Sequence, residues 1–149
     1  MNKRLRWALI VIAVAIGGSF LAWFNSSGDP LPAPEVVDRL IASGHFGPNG
    51  ERVKFEIPVE QWPRIRAAMQ LPKRDFSPAK WLSIGSLDIT TRQGREYHVE
   101  LYQTQESLGA FSAGPTFERR AYYRGGDSEK LAREMEAAYS IAVQQRKVP

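Results

Sequence analysis

The sequence predicts an α+β protein, in which an N-terminal transmembrane helix precedes one domain with an antiparallel sheet of four to five strands packed by two or three helices. Three observations predict this. Residues 7–24 carry no charge, residues 81–103 alternate as a β-hairpin does, and the segment after residue 127 has apolar residues at helical spacing. The predicted order of elements in the domain, α-β-α-β-β-β-β-α, places the helices on one face of the sheet.

Residues 7–24 have the length and composition of a membrane span. Eighteen helical residues rise about 27 Å, which is close to the roughly 30 Å of hydrocarbon in a bilayer. Trp7 stands at one end and Trp23 and Phe24 at the other, where amphipathic aromatic side chains favour the headgroup region. The segment is therefore predicted to be a signal-anchor helix.

The charges around this segment predict its orientation. A cluster of cations precedes it, and Asp29 is the first charge after it. Positive-inside asymmetry puts residues 1–6 in the cytoplasm as a basic stub. After a linker rich in Pro, Ser and Gly, residues 25–34, we expect one extracytoplasmic domain, residues 35–149.

A cleaved signal peptide is the alternative for the N-terminal segment, because a basic stretch before an apolar core is also typical of an export signal. Small residues suit cleavage after Ser19 or after Gly28. The first cut exposes a strongly apolar new terminus and the second lies far from the apolar core, so we favour the anchor. Cleavage would instead leave a secreted or periplasmic domain.

Composition argues against nucleic-acid binding. The chain has 20 Lys and Arg and 16 Asp and Glu, but three of the cations precede the predicted span, which leaves 17 against 16 in the rest. A nucleic-acid binder needs a surplus of cations to displace counterions from phosphates. The chain has no cysteine, which excludes disulfides, thiol nucleophiles and cysteine-based zinc sites.

The first half of the domain is predicted to contain two helices and one strand. Apolar residues at helical spacing in residues 34–43 indicate a short helix that stops at Gly44. Strict alternation indicates a strand over residues 52–57, and residues 60–70 have the pattern of a second helix. The polar stretch 73–78 predicts a turn.

The hairpin over residues 81–103 has a register that the sequence can decide. A three-residue loop with Gly94 as its left-handed residue pairs Ile89 with Tyr97 and keeps the apolar side chains on one face. A two-residue loop would mix apolar and polar positions. The alternation changes phase near Gly85, which predicts a β-bulge there.

A further strand pair and a long helix complete the predicted domain. The strands cover residues 108–113 and 117–124, with Phe117 on the core face. A cap at Asp127 or Ser128 begins the helix. Its apolar stripe consists of Leu131, Met135, Ala138 and Ala142.

One cluster with acid–base potential lies on the polar face of the hairpin. The preferred register puts His98 opposite Asp88, with Glu96 and Glu100 two residues away on the same face. Carboxylates around an imidazole suit a general base or a metal site. Alternating charged residues are also what the solvated face of a sheet requires, and we favour this second interpretation.

A second candidate site is an anion-binding turn at Arg124, Gly125 and Gly126, because glycines ahead of a helix expose backbone N–H groups. Asp127 competes for the same donors as a helix cap, so a plain strand-to-helix turn is the favoured interpretation. Tyr122 points away from the predicted core and is a candidate for a partner surface.

These observations predict a non-enzymatic, single-pass membrane-anchored domain outside the cytoplasm that binds a protein or cell-envelope partner. The sequence shows no coherent set of nucleophile, base and oxyanion donors, and it indicates no cofactor. The alternative is a small hydrolase or metal-dependent enzyme centred on Asp88, Glu96, His98 and Glu100.

Overall fold

The computed structural model describes residues 29–76, 81–104 and 108–146. The predicted basic stub, the predicted membrane helix at residues 7–24 and the first part of the predicted linker lie outside the described residues. Among the residues that are described, no helix is long and apolar enough to cross a membrane.

The domain is an α+β fold built on a seven-stranded antiparallel sheet, so the prediction of four to five strands was wrong. The strands are β1 (Val37–Gly44), β2 (Val53–Ile57), β3 (Lys73–Asp75), β4 (Leu82–Thr91), β5 (Glu96–Gln103), β6 (Leu108–Gly114) and β7 (Ala121–Asp127). Their order across the sheet is β2-β1-β4-β5-β6-β7-β3. The strands β2 and β3 therefore form its two edges.

The prediction of a helix that stops at Gly44 was wrong, because this segment is β1. The register of β1 against β4 shifts between Val37 and Arg39. This β-bulge turns both Val37 and Leu40 toward the core. A spacing of three between buried residues is the spacing of a helix face, so the bulge gave the strand a helical pattern.

The polar stretch that was predicted as a turn contains the other missed strand, β3. It is three residues long and pairs with β7. So short an edge strand offers too little alternation for its pattern to be recognised. Adding β1 and β3 to the predicted strands gives the seven that are observed.

The register predicted for the hairpin of β4 and β5 is confirmed. Ile89 pairs with Tyr97, and Gly94 has a φ of 74° in the turn. The register shifts between Ser83 and Gly85, where the bulge was predicted. The hairpin was predictable because its apolar residues can occupy one face in one register only.

Two α-helices, α1 (Trp62–Ala68) and α2 (Ser128–Arg146), pack on one face of the sheet. The apolar positions predicted for both helices are buried. Asp127 caps α2, since its Oδ1 atom accepts a hydrogen bond from the Lys130 N–H at 2.9 Å.

The core lies between these helices and the apolar residues that alternate along the strands. Leu40, Leu87, Val99 and Phe111 come from adjacent strands and are at most 1% exposed. The residues between them point to the opposite side of the sheet. We call this side the open face, because both described helices pack on the other one.

Gly126 and Gly94 form a matched pair for testing how β7 meets α1. Both have left-handed backbone, with φ of 78° and 74°. A Cβ at Gly126 would collide with the Ala68 carbonyl oxygen, whereas one at Gly94 would meet nothing within 4 Å. Gly94→Ala should lower the free energy of unfolding by about 1–2 kcal/mol through backbone strain. Gly126→Ala should cost about 2 kcal/mol more, because α1 must also shift.

Urea unfolding followed by circular dichroism measures both losses in parallel. Equal losses for the two variants would contradict the close packing of β7 on the end of α1.

Candidate functional site on the open face

His98 lies on the open face with carboxylates on both sides of its ring. Its Nδ1 atom is 2.7 Å from Oδ1 of Asp88 on β4. Its Nε2 atom is 3.4 Å from Oε2 of Glu100, which lies on β5 like His98 itself. This second contact lacks hydrogen-bond geometry. The predicted pairing of His98 with Asp88 is confirmed.

Glu96, the fourth predicted residue, is exposed at the start of β5 and lines the cleft beside the ring. The described residues contain no group of three or more His, Asp or Glu side chains that could hold a metal ion. Carboxylates face both nitrogens of His98. A substrate or a metal would therefore have to displace Asp88 or Glu100 to reach the ring.

Phe117 packs against the His98 ring. The two ring centroids are 5.9 Å apart and the rings meet edge to face. Both rings line a cleft of about 510 Å³ that extends to Arg39 on β1. Phe117 was predicted to lie on the core face of a strand, but it lies in the loop between β6 and β7 and is 56% exposed. The prediction failed because β7 begins only at Ala121, and the loop before it interrupts the alternation.

Arginine and aromatic side chains continue the open face from Phe117 toward β3. The Arg120 guanidinium lies 3.5 Å from the centroid of the Phe117 ring, and its Nε and Nη2 atoms each donate to the Tyr122 hydroxyl at 3.3 Å. Tyr122 in turn meets Trp81, with 6.0 Å between ring centroids. We call the following residues the aromatic–arginine cluster: Trp81, Tyr102, Phe117, Arg120, Tyr122 and Arg124.

Two polar contacts hold this cluster in place. The Tyr102 hydroxyl is 3.3 Å from Oγ of the buried Ser112, and burial raises the pKa of Tyr102 above its usual value of 10.0. Toward the edge of the sheet, Nε of Arg124 donates to Oδ2 of Asp75 on β3 at 2.6 Å, and its guanidinium lies 5.5 Å from the Trp81 ring. The rings between these contacts are therefore restricted in their rotamers.

Arg120 retains hydrogen-bonding capacity within the cluster. Its Nη1 atom is buried and has no hydrogen-bond partner among the described residues. A guanidinium carries five N–H donors in a planar fork that suits carboxylate and carbonyl oxygens. The guanidinium over the Phe117 ring suits a ligand that brings apolar area and an oxygen acceptor together, and its buried Nη1 atom reaches such a ligand only if the side chain moves.

The candidate anion-binding turn contains Arg124 and two glycines, and its groups contact other parts of the chain. Arg124 is paired with Asp75, and Asp127 accepts the N–H group at the start of α2. A Cβ on Gly125 would lie 2.7 Å from the carbonyl oxygen of Leu71. The close approach of the segment after α1 therefore accounts for the glycines without an anion.

Known proteins do not assign this surface a role. The chain matches no protein-family model, no curated protein and no solved structure.

Sequence reasoning identified one member of the aromatic–arginine cluster and missed others. Tyr122 was predicted to point away from the core, and the structure places it on the open face, where it pairs with Ser112. Trp81 is half-buried against Tyr102, with 5.4 Å between ring centroids. The alternation of Arg120, just before β7, with Tyr122 and Arg124 in β7 was the signal that could have extended the surface.

Replacing His98 tests whether its ring is structural. His98→Ala leaves the carboxylates of Asp88 and Glu100 without the group between them, so we expect the free energy of unfolding to fall by about 1–2 kcal/mol. In an Asp88→Asn background the same replacement should cost less, because the charge-assisted hydrogen bond is already weakened. Urea unfolding of the four proteins at neutral pH gives this coupling energy. A coupling of zero, together with stoichiometric zinc or manganese that is lost in His98→Ala, would favour the enzyme instead.

Proposed function

We propose that the chain is a single-pass membrane protein whose extracytoplasmic domain binds a protein or another cell-envelope component through the open face, without catalysing a reaction. The observation that carries this proposal is the aromatic–arginine cluster on the sheet face opposite the two described helices. Tyrosine, tryptophan and arginine are enriched among the residues that dominate binding energy at protein interfaces.

The open face is preorganised for binding. Its side chains project from a seven-stranded sheet, and contacts to Ser112 and Asp75 hold the cluster at two points. A surface whose rotamers are already restricted loses less conformational entropy when it associates. Phe117, which is 56% exposed, adds apolar area that a partner can cover.

The charges of the open face indicate what a partner presents. The positive charge of Arg120 lies over the Phe117 ring, which suits a carboxylate or carbonyl group next to a flat apolar group. Asp88 and Glu100 lie on the other side of that ring, around His98. A partner that brings an acidic group to the cluster and a basic group to the His98 side matches both halves.

The membrane part of the proposal is supported by residues 7–24 and by the place where the folded domain begins. Leu31 is 4% exposed, and the Trp62 side-chain N–H donates to the Pro32 carbonyl oxygen at 3.0 Å. The chain is therefore packed against α1 within a few residues of the predicted span. So short a connection keeps the domain close to the bilayer.

A secreted domain is the alternative for the N-terminal segment. N-terminal sequencing of the mature chain separates the two, since a start at Phe20 or Asp29 would indicate cleavage after a small residue. An intact basic stub on a membrane-bound chain supports the anchor.

Topology can be tested with single cysteines, because the chain has none of its own. Ala137→Cys lies on the exposed side of α2 and should react with a membrane-impermeant maleimide in intact cells. Asn2→Cys, in the predicted stub, should react only after permeabilisation. The opposite pattern of labelling would contradict the proposed orientation.

Coverage of the open face can be tested in the same way. Thr116→Cys lies beside Phe117 in the cleft and should react more slowly in cells than in the purified chain, because a partner covers it. Ala137→Cys is the matched control and should react at the same rate in both. Adding Arg120→Ala should restore fast labelling at residue 116, since the partner loses its guanidinium contact. Equal rates at residue 116 in the two preparations would show that nothing covers this face.

A further inference from the structure

Leu71 has a backbone conformation and an environment that are both unfavourable for leucine. Its φ is 57°, in the left-handed region, and its side chain is 83% exposed. A residue with a Cβ is strained in that region, where glycine or asparagine is the usual occupant. A turn by itself requires neither a leucine nor its exposed side chain.

The turn that carries Leu71 is packed against the sheet. Met69, two residues earlier, is 1% exposed, and the Leu71 carbonyl oxygen approaches Gly125 so closely that a Cβ there would lie 2.7 Å from it. The backbone of the turn is therefore held on β7 while the leucine side chain faces outward. Strain and apolar exposure that persist in a well-packed turn indicate that the side chain has a use.

Basic and aromatic residues flank the edge strand β3, with Lys73 toward the open face and Arg74 toward the helix face of the sheet. Lys73 and Arg74 are exposed, Phe76 is 65% exposed, and the Arg74 guanidinium lies 5.1 Å from the Phe76 ring. We call Leu71, Lys73, Arg74 and Phe76 the edge patch. Apolar side chains next to Lys and Arg are typical of surfaces that lie in the headgroup region of anionic bilayers.

The chain enters the domain beside the edge patch. Asp29 is the first described residue, and its Oδ2 atom accepts a hydrogen bond at 3.3 Å from the side chain of Gln70, the neighbour of Leu71. Asp29 also forms an ion pair with Arg66 of α1. Five residue steps separate Phe24 from Asp29, which span about 18 Å at most. With Phe24 at the membrane interface, the edge patch is held next to the lipid.

We propose that the edge patch is a membrane-contact surface that lies on the anionic headgroups of the bilayer in which the chain is anchored. This inference rests on the proposed membrane anchor. Leu71 enters the headgroup region, and Lys73 and Arg74 contact lipid phosphates. The lipid is the occupant because the short tether presents it to this surface at a high effective concentration.

Contact through the edge patch sets the orientation of the domain. The edge strands β3 and β2 lie at opposite ends of the seven-stranded order, about 29 Å apart at about 4.8 Å for each strand spacing. With β3 on the bilayer, β2 is the strand farthest from the membrane. The plane of the open face is then roughly perpendicular to the membrane surface. The open face is then accessible to a partner beside the chain.

Depth-dependent quenching in vesicles tests this contact on the full chain. An environment-sensitive fluorophore on Leu71→Cys should be quenched by doxyl groups near the headgroups of vesicles of phosphatidylcholine and phosphatidylglycerol. The matched control is Lys54→Cys, an exposed position on the opposite edge strand β2, and it should not be quenched. Equal quenching at the two positions would overturn the proposal.

Charge reversal tests the lipid chemistry of the same surface. Lys73→Glu and Arg74→Glu should each lower the equilibrium constant for contact about 25-fold, measured by the quenching at residue 71, because each change removes a cation and adds an anion at about 1 kcal/mol per charge. Removing phosphatidylglycerol from the vesicles should reduce the quenching in the same direction. Quenching that stays the same after charge reversal and after removal of phosphatidylglycerol would overturn the role of the cations.

A stability measurement separates a leucine used for contact from one used for packing. Leu71→Asn should raise the urea midpoint of the chain in detergent, because asparagine tolerates the left-handed backbone better than leucine does. A lower midpoint would mean that Leu71 stabilises the fold and would overturn its proposed use.

A label on Ala15→Cys, inside the predicted span, distinguishes failure of this inference from failure of the anchor. Doxyl groups deep in the acyl chains should quench this label if the span crosses the bilayer. Quenching at residue 15 without quenching at residue 71 overturns the edge patch and leaves the anchor in place. No quenching at residue 15 overturns the anchor and the edge patch together.

Discussion

The close approach of β7 to the end of α1 is the contact on which the rest of this structure depends. A Cβ at Gly126 would collide with the Ala68 carbonyl oxygen, and one at Gly125 would press on the backbone of Leu71. Gly125 and Gly126 of β7 have no Cβ, so the backbone that runs from α1 to the edge strand β3 can pack directly against them. Without this approach β3 could not pair with β7, and neither the edge patch nor the contact between Arg124 and Asp75 would form.

The open face divides into two halves that meet at Phe117. On one side Asp88 and Glu100 surround His98; on the other, Arg120 lies over the ring and bonds to Tyr122. On the acidic side, Nδ1 of His98 bonds to Asp88, whereas its buried Nε2 atom has no hydrogen-bond partner among the described residues. On the basic side, Nη1 of Arg120 is likewise buried without a hydrogen-bond partner among the described residues.

The two proposed surfaces fit one arrangement at a bilayer. The edge patch lies along β3, and the aromatic–arginine cluster reaches the same strand through the contact between Arg124 and Asp75. An anchored domain that rests on its β3 edge therefore presents the cluster just above the lipid. A partner in the same membrane meets this surface without the domain having to reorient, which reduces the entropic cost of association.

Sequence alone determined the elements whose pattern is local and complete. The hairpin register followed because its apolar residues fit one face in one register, and the stripe of α2 followed from helical spacing over four turns. The α+β class and the pairing of His98 with Asp88 came from these two elements. The membrane orientation indicated by the charges around residues 7–24 lies outside the described residues and stays a prediction.

Tertiary structure decided everything that depended on a neighbouring strand. The bulge that turns both Val37 and Leu40 inward exists only because β1 pairs with β4, and it gave a strand the spacing of a helix. Three residues of β3 become a strand only because β7 offers them a partner. Phe117 lies outside the core in which it was predicted, because the loop before β7 places its ring against His98. Pairing partners and loop paths are set by contacts between residues far apart in the chain, and a local pattern carries no information about them.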